Sequence, residues 1–190
     1  MNEPDLISRA RTGDEAAWEM LVREHQEPIF RLAYLLLGDS HEAEDVAQDT
    51  FIRAFRALHT FDIARSMRPW LLTIASNLAR NKMRSLSRYL AALRRNARLE
   101  PAVADPAVSP GERSAQQWEA NTLWQAVRRL KTHEQEVVYM RYFLELSEVE
   151  MASALQVAPG TIKSRLHRAI AQLRTLVDSD FPALREERQA

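Results

Sequence analysis

The sequence predicts an all-α protein: two small helical domains joined by a flexible linker, with a helix-turn-helix in the C-terminal domain. Apolar residues recur at helical spacing along most of the chain, and no stretch alternates convincingly as a strand. Only four glycines occur in 190 residues, fewer than the turns of a β-rich fold usually need. Ala, Leu, Arg and Glu, which favour helices, are abundant.

Apolar spacing and terminal signals predict eight helices. Gly38 stops the second helix, and Asp39 or Ser40 caps the third. Pro69 lies in the first turn of the fourth helix. Pro28 falls inside the second helix, where a kink or break is expected. The predicted helices cover residues 4–11, 14–37, 40–57, 68–87, 116–130, 133–144, 147–155 and 159–176.

A change of composition marks the linker. Three prolines and a glycine fall within residues 101–111, and the apolar residues nearby are mostly Ala and Val. We expect this segment to be helical at its start and extended after Pro101. The predicted division is an N-terminal domain at 1–88, a linker at 89–115, a C-terminal domain at 116–178 and a tail at 179–190.

The composition excludes several classes of site. The chain has no cysteine, so it has no disulfide, thiolate nucleophile or cysteine-based metal site. Its acidic start, MNEPDLISRA, is not a signal peptide, and its longest apolar stretch is too short to span a bilayer. We therefore expect a cytoplasmic protein with no membrane insertion, no cofactor and no metal.

Zero net charge conceals two basic blocks. Residues 52–98 carry 11 basic side chains and 1 acidic one, and residues 161–176 carry 4 basic and 0 acidic. Residues 1–51 carry 12 acidic and 4 basic side chains. The basic blocks could be two sites for a polyanion, or they could form internal ion pairs with the acidic segments. Charge by itself leaves both interpretations open.

The second basic block lies in LSEVEMASALQVAPGTIKSRLHRAIAQL, which is typical of a helix, a tight turn and a helix. Ser147 and Glu150 fit a capping box, and Pro159 starts the second helix. The expected apolar face of the first helix is Leu146, Val149, Ala152 and Leu155. Polar and basic residues occupy the first turns of the second helix, where a helix-turn-helix reads the major groove. These candidate DNA contacts are Thr161, Lys163, Ser164, Arg165, His167 and Arg168; the alternative is a solvated helix face.

The first basic block contains an amphipathic helix, RPWLLTIASNLARNKMRS, at 68–85. Its apolar side is Leu71, Ile74, Ala75 and Leu78. Its other side carries groups that can bind bases or phosphates: Thr73, Ser76, Asn77, Arg80, Asn81 and Arg84. Phe61 lies in the preceding loop, where an exposed aromatic ring would stack on single-stranded nucleic acid. The alternative is that Phe61 and Trp70 are core residues.

The preceding segment, DSHEAEDVAQDTFIRAFRAL at 39–58, has one apolar and one polar side. Val46, Phe51, Ala54 and Phe55 could all be core. Asp45, Gln48, Asp49 and Arg53 lie on the other side, and their residue types do not by themselves indicate a partner.

Together and in this order, these stretches resemble an alternative sigma factor of bacterial RNA polymerase, of the extracytoplasmic-function (ECF) class. AEDVAQDTFIRAFRAL resembles the helix that docks on the polymerase clamp, and FDIARSMRPWLLTIASNLARNKMRS resembles the minus-10 loop and helix. LSEVEMASALQVAPGTIKSRLHRAIAQLR resembles the minus-35 helix-turn-helix. The resemblance covers about residues 5–87 and 117–176. It implies a protein, not itself an enzyme, that directs core polymerase to promoters.

The resemblance also implies roles for individual residues. Core polymerase contacts are implied for Asp45, Gln48, Asp49 and Phe51. Minus-10 contacts are implied for Ser76, Asn77, Arg80 and Asn81, with capture of a flipped base by the loop 59–67. Minus-35 contacts are implied for Lys163, Ser164, His167 and Arg168. The expected surfaces are completed by Phe61, Thr73 and Arg84 for minus-10, and by Thr161 and Arg165 for minus-35. An anti-sigma factor is a further implied partner.

Two loop positions depart from the family pattern, since Ile63 and Met67 stand where glycine and an aromatic residue are common. The implied promoter elements lie about 25 base pairs apart, roughly 85 Å at ~3.4 Å per step. A linker of about 28 residues spans at most ~100 Å when fully extended, but only ~30 Å as a flexible coil. We therefore expect the free protein to have compact or mutually packed domains and to bind promoter DNA poorly.

Other classes of function fit less of the sequence. A helix-turn-helix regulator that works without polymerase needs neither the 39–58 helix nor the aromatic loop. An enzyme is disfavoured because the five histidines are scattered, and no Gly-rich phosphate loop or nucleophile elbow appears. A protein-interaction module is disfavoured by the two basic blocks.

Overall fold

A computed structural model describes residues 2–97 and 123–180 of the chain. All regular structure among these residues is helical, and they contain no strand. The all-α prediction is therefore confirmed over the described residues. The predicted helix at 116–130 is described only from residue 123. Residues 98–115 of the predicted linker and residues 181–190 of the predicted tail lie outside the described residues.

The first two helices form an antiparallel pair with well-defined ends. Helix α1 spans Glu3–Arg11 and α2 spans Glu15–Leu37. The Asp14 carboxylate caps α2 by accepting a hydrogen bond from the Ala17 amide at 3.0 Å. Helix α2 ends at Gly38, which adopts the left-handed conformation with φ +74°. Pro28 lies within α2 without breaking it, so the expected break is wrong.

The next two helices carry the predicted polymerase and minus-10 segments. Helix α3 spans Ser40–Ala57, as predicted, and its cap is Asp39, which accepts from the Glu42 amide at 2.9 Å. A short 3-10 turn, Leu58–Thr60, leads into a loop. Helix α4 spans Met67–Ala97 and continues ten residues beyond its predicted end. Pro69 lies in its first turn, where a missing amide hydrogen costs no helical bond.

The N-terminal core is closed around the start of α4. Its fully buried side chains come from α1, α2 and α4: Ile7, Leu21, Ile29, Leu32, Met67, Leu71 and Leu72. Glu3 connects the same three helices, because one carboxylate oxygen lies 3.2 Å from Nε2 of His25 and the other accepts from the Met67 amide at 3.1 Å. The beginning of α4 is thereby fixed in place by the N-terminal segment.

The C-terminal helices form the predicted helix-turn-helix and the two helices before it. Helix α5 covers 123–128, α6 spans Thr132–Tyr142, α7 spans Glu148–Leu155 and α8 spans Pro159–Asp180. The capping box at α7 is confirmed: Glu150 accepts from the Ser147 amide at 2.8 Å, and Ser147 accepts from the Glu150 amide at 3.3 Å. Gln156 makes the tight turn in the left-handed conformation, with φ 54°.

One buried helix joins the two domains. Seven consecutive residues of α6, 134–140, are buried, although a helix on the surface buries only one face. Helix α6 contacts α7 and α8 of its own domain and α2 of the N-terminal domain, and α7 contacts α4. The expected apolar face of α7 is wrong at Val149, which is 71% exposed, because Met151 takes the buried position instead.

Removing the N-terminal cap of α7 tests how much this local hydrogen bonding stabilises the helix-turn-helix. We expect Ser147→Ala to lower the free energy of unfolding by about 1 kcal/mol, because the first-turn amide of Glu150 loses its acceptor. The hydrogen bonds from Ser147 hold the pKa of Glu150 below its ordinary value of 4.5. This stabilisation is therefore present above that pH and is lost as pH falls through the lowered pKa. Urea denaturation followed by circular dichroism measures both effects.

The matched control is Ser8→Ala. The Ser8 hydroxyl donates to the Pro4 carbonyl inside α1 at 2.9 Å and caps no helix end. We expect its loss to change stability by at most a few tenths of a kcal/mol, because alanine is the better helix former. Equal costs for the two substitutions would show that the α7 cap has no special role.

Candidate nucleic-acid interface

The start of α8 presents an exposed polar and basic surface. Lys163, Ser164, His167 and Arg168 are exposed and, with Gly160, line one open depression. The Arg168 Nε donates to the Ser164 carbonyl at 3.2 Å, which directs the guanidinium back along the first turns of the helix. Four of the six predicted minus-35 residues thus lie on one accessible face, next to a helix N-terminus that itself attracts phosphate.

The other two predicted minus-35 residues are less accessible. Thr161 and Arg165 are partly buried. Arg165 is close enough to Glu136 of α6 to lower the pKa of that carboxyl group. Arg165 is also absent from the lining of the open depression.

The predicted minus-10 residues divide into exposed and covered groups. Asn77, Asn81 and Arg84 are exposed on α4. Thr73 is partly buried, and its hydroxyl donates to the Pro69 carbonyl at 2.9 Å. Ser76 is fully buried, and its Oγ has no hydrogen-bond partner among the described residues. In this conformation the surface is only partly open to a DNA strand.

The aromatic residue of the loop is packed rather than exposed. Phe61 is only 8% exposed, and its ring centroid lies 4.6 Å from that of Trp70. Arg11 holds this turn from α1, since its Nε donates to the Leu58 carbonyl at 2.9 Å and its Nη2 donates to the Phe61 carbonyl. The expectation of an exposed Phe61 is therefore wrong in this conformation, because Trp70 and Arg11 keep the turn against the core.

Arg80 links the predicted minus-10 surface to the C-terminal domain. Its Nη2 donates to Asn77 Oδ1 at 2.5 Å, and its Nη1 lies 3.3 Å from Glu136 Oε2 of α6. The Glu136 side chain is fully buried, whereas that of Arg80 is 28% exposed. A residue predicted to hold DNA is thus paired with a carboxylate of the other domain. Sequence reasoning did not single out Glu136, since nothing along the chain indicates that it meets α4.

Further contacts between the domains are made by arginine side chains. Arg68 Nη2 donates to the Leu144 carbonyl at 2.7 Å, and Arg31 Nη1 donates to the Phe143 carbonyl at 3.4 Å. Both carbonyls lie just beyond the end of α6, where a helix carries partial negative charge. Arg128 of α5 reaches from the C-terminal domain to Gly38 at the end of α2. A Cβ atom added to Gly38 would lie 2.8 Å from Nη2 of Arg128. Polar contacts therefore contribute to domain closure.

The predicted polymerase contacts on α3 also fall into two groups. Asp45, Gln48 and Asp49 are exposed on one side of the helix, and Lys82 Nζ lies 3.1 Å from Asp45 Oδ2. Phe51 is partly buried against the core, with its ring 6.3 Å from that of Trp18 in an edge-on arrangement. Ile52 and Phe55 are about half exposed and extend the accessible side of α3 with apolar surface.

Two other features were searched for among the described residues. Glu3, Glu24 and His25 bring possible metal-ligand atoms within 4.8 Å of one another, but Glu3 and His25 already serve the helix packing described above. Within 2–97 and 123–180, every helix is too short or too polar to cross a membrane.

Comparison with known families matches both halves of the chain. The family model described as Sigma-70 region 2 matches residues 21–89, and the family model described as Sigma-70, region 4 matches residues 120–173. A similar protein is the ECF RNA polymerase sigma factor SigW of Bacillus subtilis, 33% identical over 174 residues, which cover 88% of this chain and 92% of SigW.

Two solved structures share the arrangement of helices. CnrH in complex with the cytosolic domain of CnrY aligns with a TM-score of 0.68 and 26% identity, covering 94% of this chain and 98% of that one. The sigma factor RpoE in complex with the anti-sigma factor NepR, from Bartonella quintana, aligns with a TM-score of 0.56 and 25% identity. That alignment covers 85% of this chain and 94% of RpoE.

The buried carboxyl group of α6 gives a pH-dependent prediction. Burial raises the pKa of Glu136 above its ordinary value of 4.5, and the nearby guanidinium groups of Arg80, Arg165 and Arg84 offset this only in part. The stabilisation from the protonated form is present below the ordinary pKa and is lost as pH rises through the raised one. Glu136→Gln does not titrate, so we expect the variant to gain stability relative to wild type as pH rises above 4.5 and through the raised pKa of Glu136.

Urea denaturation at several pH values measures this difference. The expected result is a variant-minus-wild-type free energy of unfolding that becomes more favourable to the variant as pH rises. A difference that stays constant, or that falls with pH, would mean that the arginines stabilise the ionised carboxylate more than burial destabilises it.

Proposed function

The chain belongs to the ECF sigma factors of bacterial RNA polymerase and is an alternative sigma factor, and from that premise we propose which of its surfaces perform each step of initiation. Sigma factors are initiation factors without catalytic activity of their own, and RNA synthesis belongs to the polymerase. This chain therefore acts by binding core polymerase and promoter DNA, in the cytoplasm where both are found.

The exposed side of α3 is the proposed docking surface for core polymerase. Asp45, Gln48 and Asp49 are accessible there, and the half-exposed Ile52 and Phe55 add apolar area to the same side. A mixture of charged and apolar groups gives both orientation and buried area to an interface. Phe51, which packs on Trp18, supports this surface from beneath.

Helix α4 is the proposed reader of the minus-10 strand. Its accessible side carries the amide and guanidinium groups of Asn77, Asn81 and Arg84. Arg80 becomes available as well once its contact with Glu136 is broken. A flipped base would require Phe61 to leave Trp70, or a pocket elsewhere in the loop, because the two rings are in contact here, with centroids 4.6 Å apart. Ser76 is buried and Thr73 is partly buried, so both are less accessible to DNA in this conformation than Asn77.

Helix α8 is the proposed reader of the minus-35 duplex, and its exposed surface is the observation that carries the assignment. Lys163, Ser164, His167 and Arg168 occupy the first turns of a helix that follows a tight turn at Gln156. Major-groove recognition by a helix-turn-helix uses this part of its second helix.

Domain opening is the proposed step between free protein and initiation complex. Arg80 and Glu136 lie 3.3 Å apart across the domains, whereas the two promoter elements are roughly 85 Å apart at ~3.4 Å per base-pair step. Both elements can be occupied only when that contact is broken. We also propose an anti-sigma factor as a partner, since CnrH and RpoE, which share this helix arrangement, are bound to CnrY and NepR.

A second candidate function is supported by the accessibility of α8 in the closed chain. A regulator that binds duplex DNA without polymerase needs only this helix, and its four outer residues are already exposed. The experiment below separates this function from promoter recognition by holoenzyme.

Run-off transcription with purified core polymerase and a pool of promoter fragments tests the assignments. We expect transcripts that depend on this protein. Asp49→Ala should raise the core polymerase concentration needed for half-maximal transcription by about tenfold, the effect of losing ~1.4 kcal/mol at the docking surface. Asn77→Ala should lower transcription even at saturating polymerase, because strand contacts form only in the promoter complex.

Matched controls use residues outside the proposed surfaces. Asp178→Ala removes an exposed carboxylate from α8, and Gln26→Ala removes an exposed amide from α2; neither should change transcription more than about twofold. Specific binding of a duplex by the protein, with no transcript in the presence of core polymerase, would instead favour the polymerase-independent regulator.

A further inference from the structure

Glu136 is buried beside arginines of both proposed DNA surfaces. Its side chain is fully buried, and Oε2 is paired with Arg80 of α4 at 3.3 Å. The other oxygen, Oε1, has no hydrogen-bond partner among the described residues. Arg84 of α4 and Arg165 of α8 also act on this carboxylate electrostatically. One acidic side chain thus faces arginines proposed to bind minus-10 and minus-35 DNA.

This arrangement makes Glu136 depend on Arg80. A buried ion pair contributes little when both partners are present, but removal of one partner leaves an uncompensated buried charge. Among the described residues, Arg80 is the direct partner that the geometry gives to Glu136. Arg80 depends less on Glu136, because its guanidinium is partly exposed and also binds Asn77.

We propose that Arg80 is shared between the promoter strand and Glu136, so that DNA which takes its guanidinium leaves Glu136 buried without its hydrogen-bonded ion-pair partner and releases the C-terminal domain from α4. Closure and strand binding are then mutually exclusive at a single residue. The inference rests on the proposed assignment of Arg80 to the minus-10 strand. Its chemistry is substitution of a phosphate or base acceptor for a protein carboxylate.

The rest of the interface is suited to such a reversible step. Three side-chain atoms that are buried without partners among the described residues, Arg68 Nε, Ser76 Oγ and Glu136 Oε1, belong to residues in or next to it. Arg68 and Glu136 make contacts between the domains, and Ser76 lies one turn before Arg80 on α4. Each buried polar atom without a partner lowers the stability of the closed arrangement. Domain closure is therefore stable enough to form and easy to reverse.

Fluorescence resonance energy transfer between the two domains of the free protein tests directly whether closure depends on the pairing of Glu136 with Arg80. The chain has no cysteine, so Ser8→Cys on α1 and Val149→Cys on α7 place two dyes at exposed positions, one in each domain. In this labelled background the variants are Arg80→Ala, Glu136→Gln and the pair together. Measurements at alkaline pH favour the ionised carboxylate, because burial raises the pKa of Glu136.

We expect Glu136→Gln to reverse the domain opening that Arg80→Ala causes. Arg80→Ala should raise the ratio of open to closed protein about tenfold or more, because Glu136 is left buried and unpaired. Glu136→Gln should remain closed, since an amide needs no counter-charge. The double variant should return to within about twofold of wild type, and the effect of Arg80→Ala should shrink as pH falls and Glu136 takes up a proton.

Two controls separate this effect from general loss of charge. Arg56→Ala removes an exposed arginine from α3 and should not change energy transfer. Arg80→Lys keeps a cation and should remain mostly closed. The proposal is overturned if Arg80→Ala stays closed, or if the double variant is as open as Arg80→Ala.

The result is independent of the proposed function because it needs neither polymerase nor DNA. Run-off transcription with the same variants provides the second readout. If the double variant restores closure but neither the wild type nor any variant supports transcription, the dependence of Glu136 on Arg80 is supported and the sigma-factor surfaces are misassigned. If transcription requires Asn77 and Asp49 but the double variant does not restore closure, the function stands and the sharing of Arg80 is wrong.

Discussion

The packing of α4 by helices from both domains is the constraint on which the rest of the structure depends. Leu71, Leu72 and Ala75 are buried on this helix, which contacts α2 and α3 of its own domain and α7 of the C-terminal domain. A helix that reads DNA must present a polar face, yet a polar face covered by protein must find protein partners. Arg80 and Arg68 satisfy this requirement with Glu136 and the Leu144 carbonyl, so the polarity needed for DNA also holds the domains together.

Local features of the fold could be predicted from sequence because they are encoded by neighbouring residues. The α7 capping box, the stop at Gly38 and the bounds of α3 each depend on side chains within four residues of the backbone groups they satisfy. The apolar stripe of α8 follows from helical spacing in the same way. Pro28 did not break α2, because packing of the surrounding helix outweighs the loss of one hydrogen bond.

Features that depend on distant contacts could not be predicted. Phe61 is buried because Trp70 and Arg11 meet it, and Arg11 is fifty residues away along the chain. Ser76 has the polar character of a DNA contact but is buried in the closed arrangement. The sequence left open whether the basic blocks bind polyanions or form internal ion pairs. In the structure Arg80 and Lys82 pair with acidic side chains, whereas Lys163 and Arg168 are exposed.

The sharing of residues between closure and recognition changes how substitutions on α4 should be interpreted. Loss of a purely DNA-binding side chain weakens only the promoter complex. Under the proposed sharing of Arg80, its loss would weaken the promoter complex and also free the C-terminal domain, so the two consequences would oppose each other in an assay that requires an open chain. A nearly neutral Arg80 substitution would therefore not exclude a DNA contact. Asn77, which faces solvent and contacts Arg80 within its own helix, reports on strand binding without this cancellation.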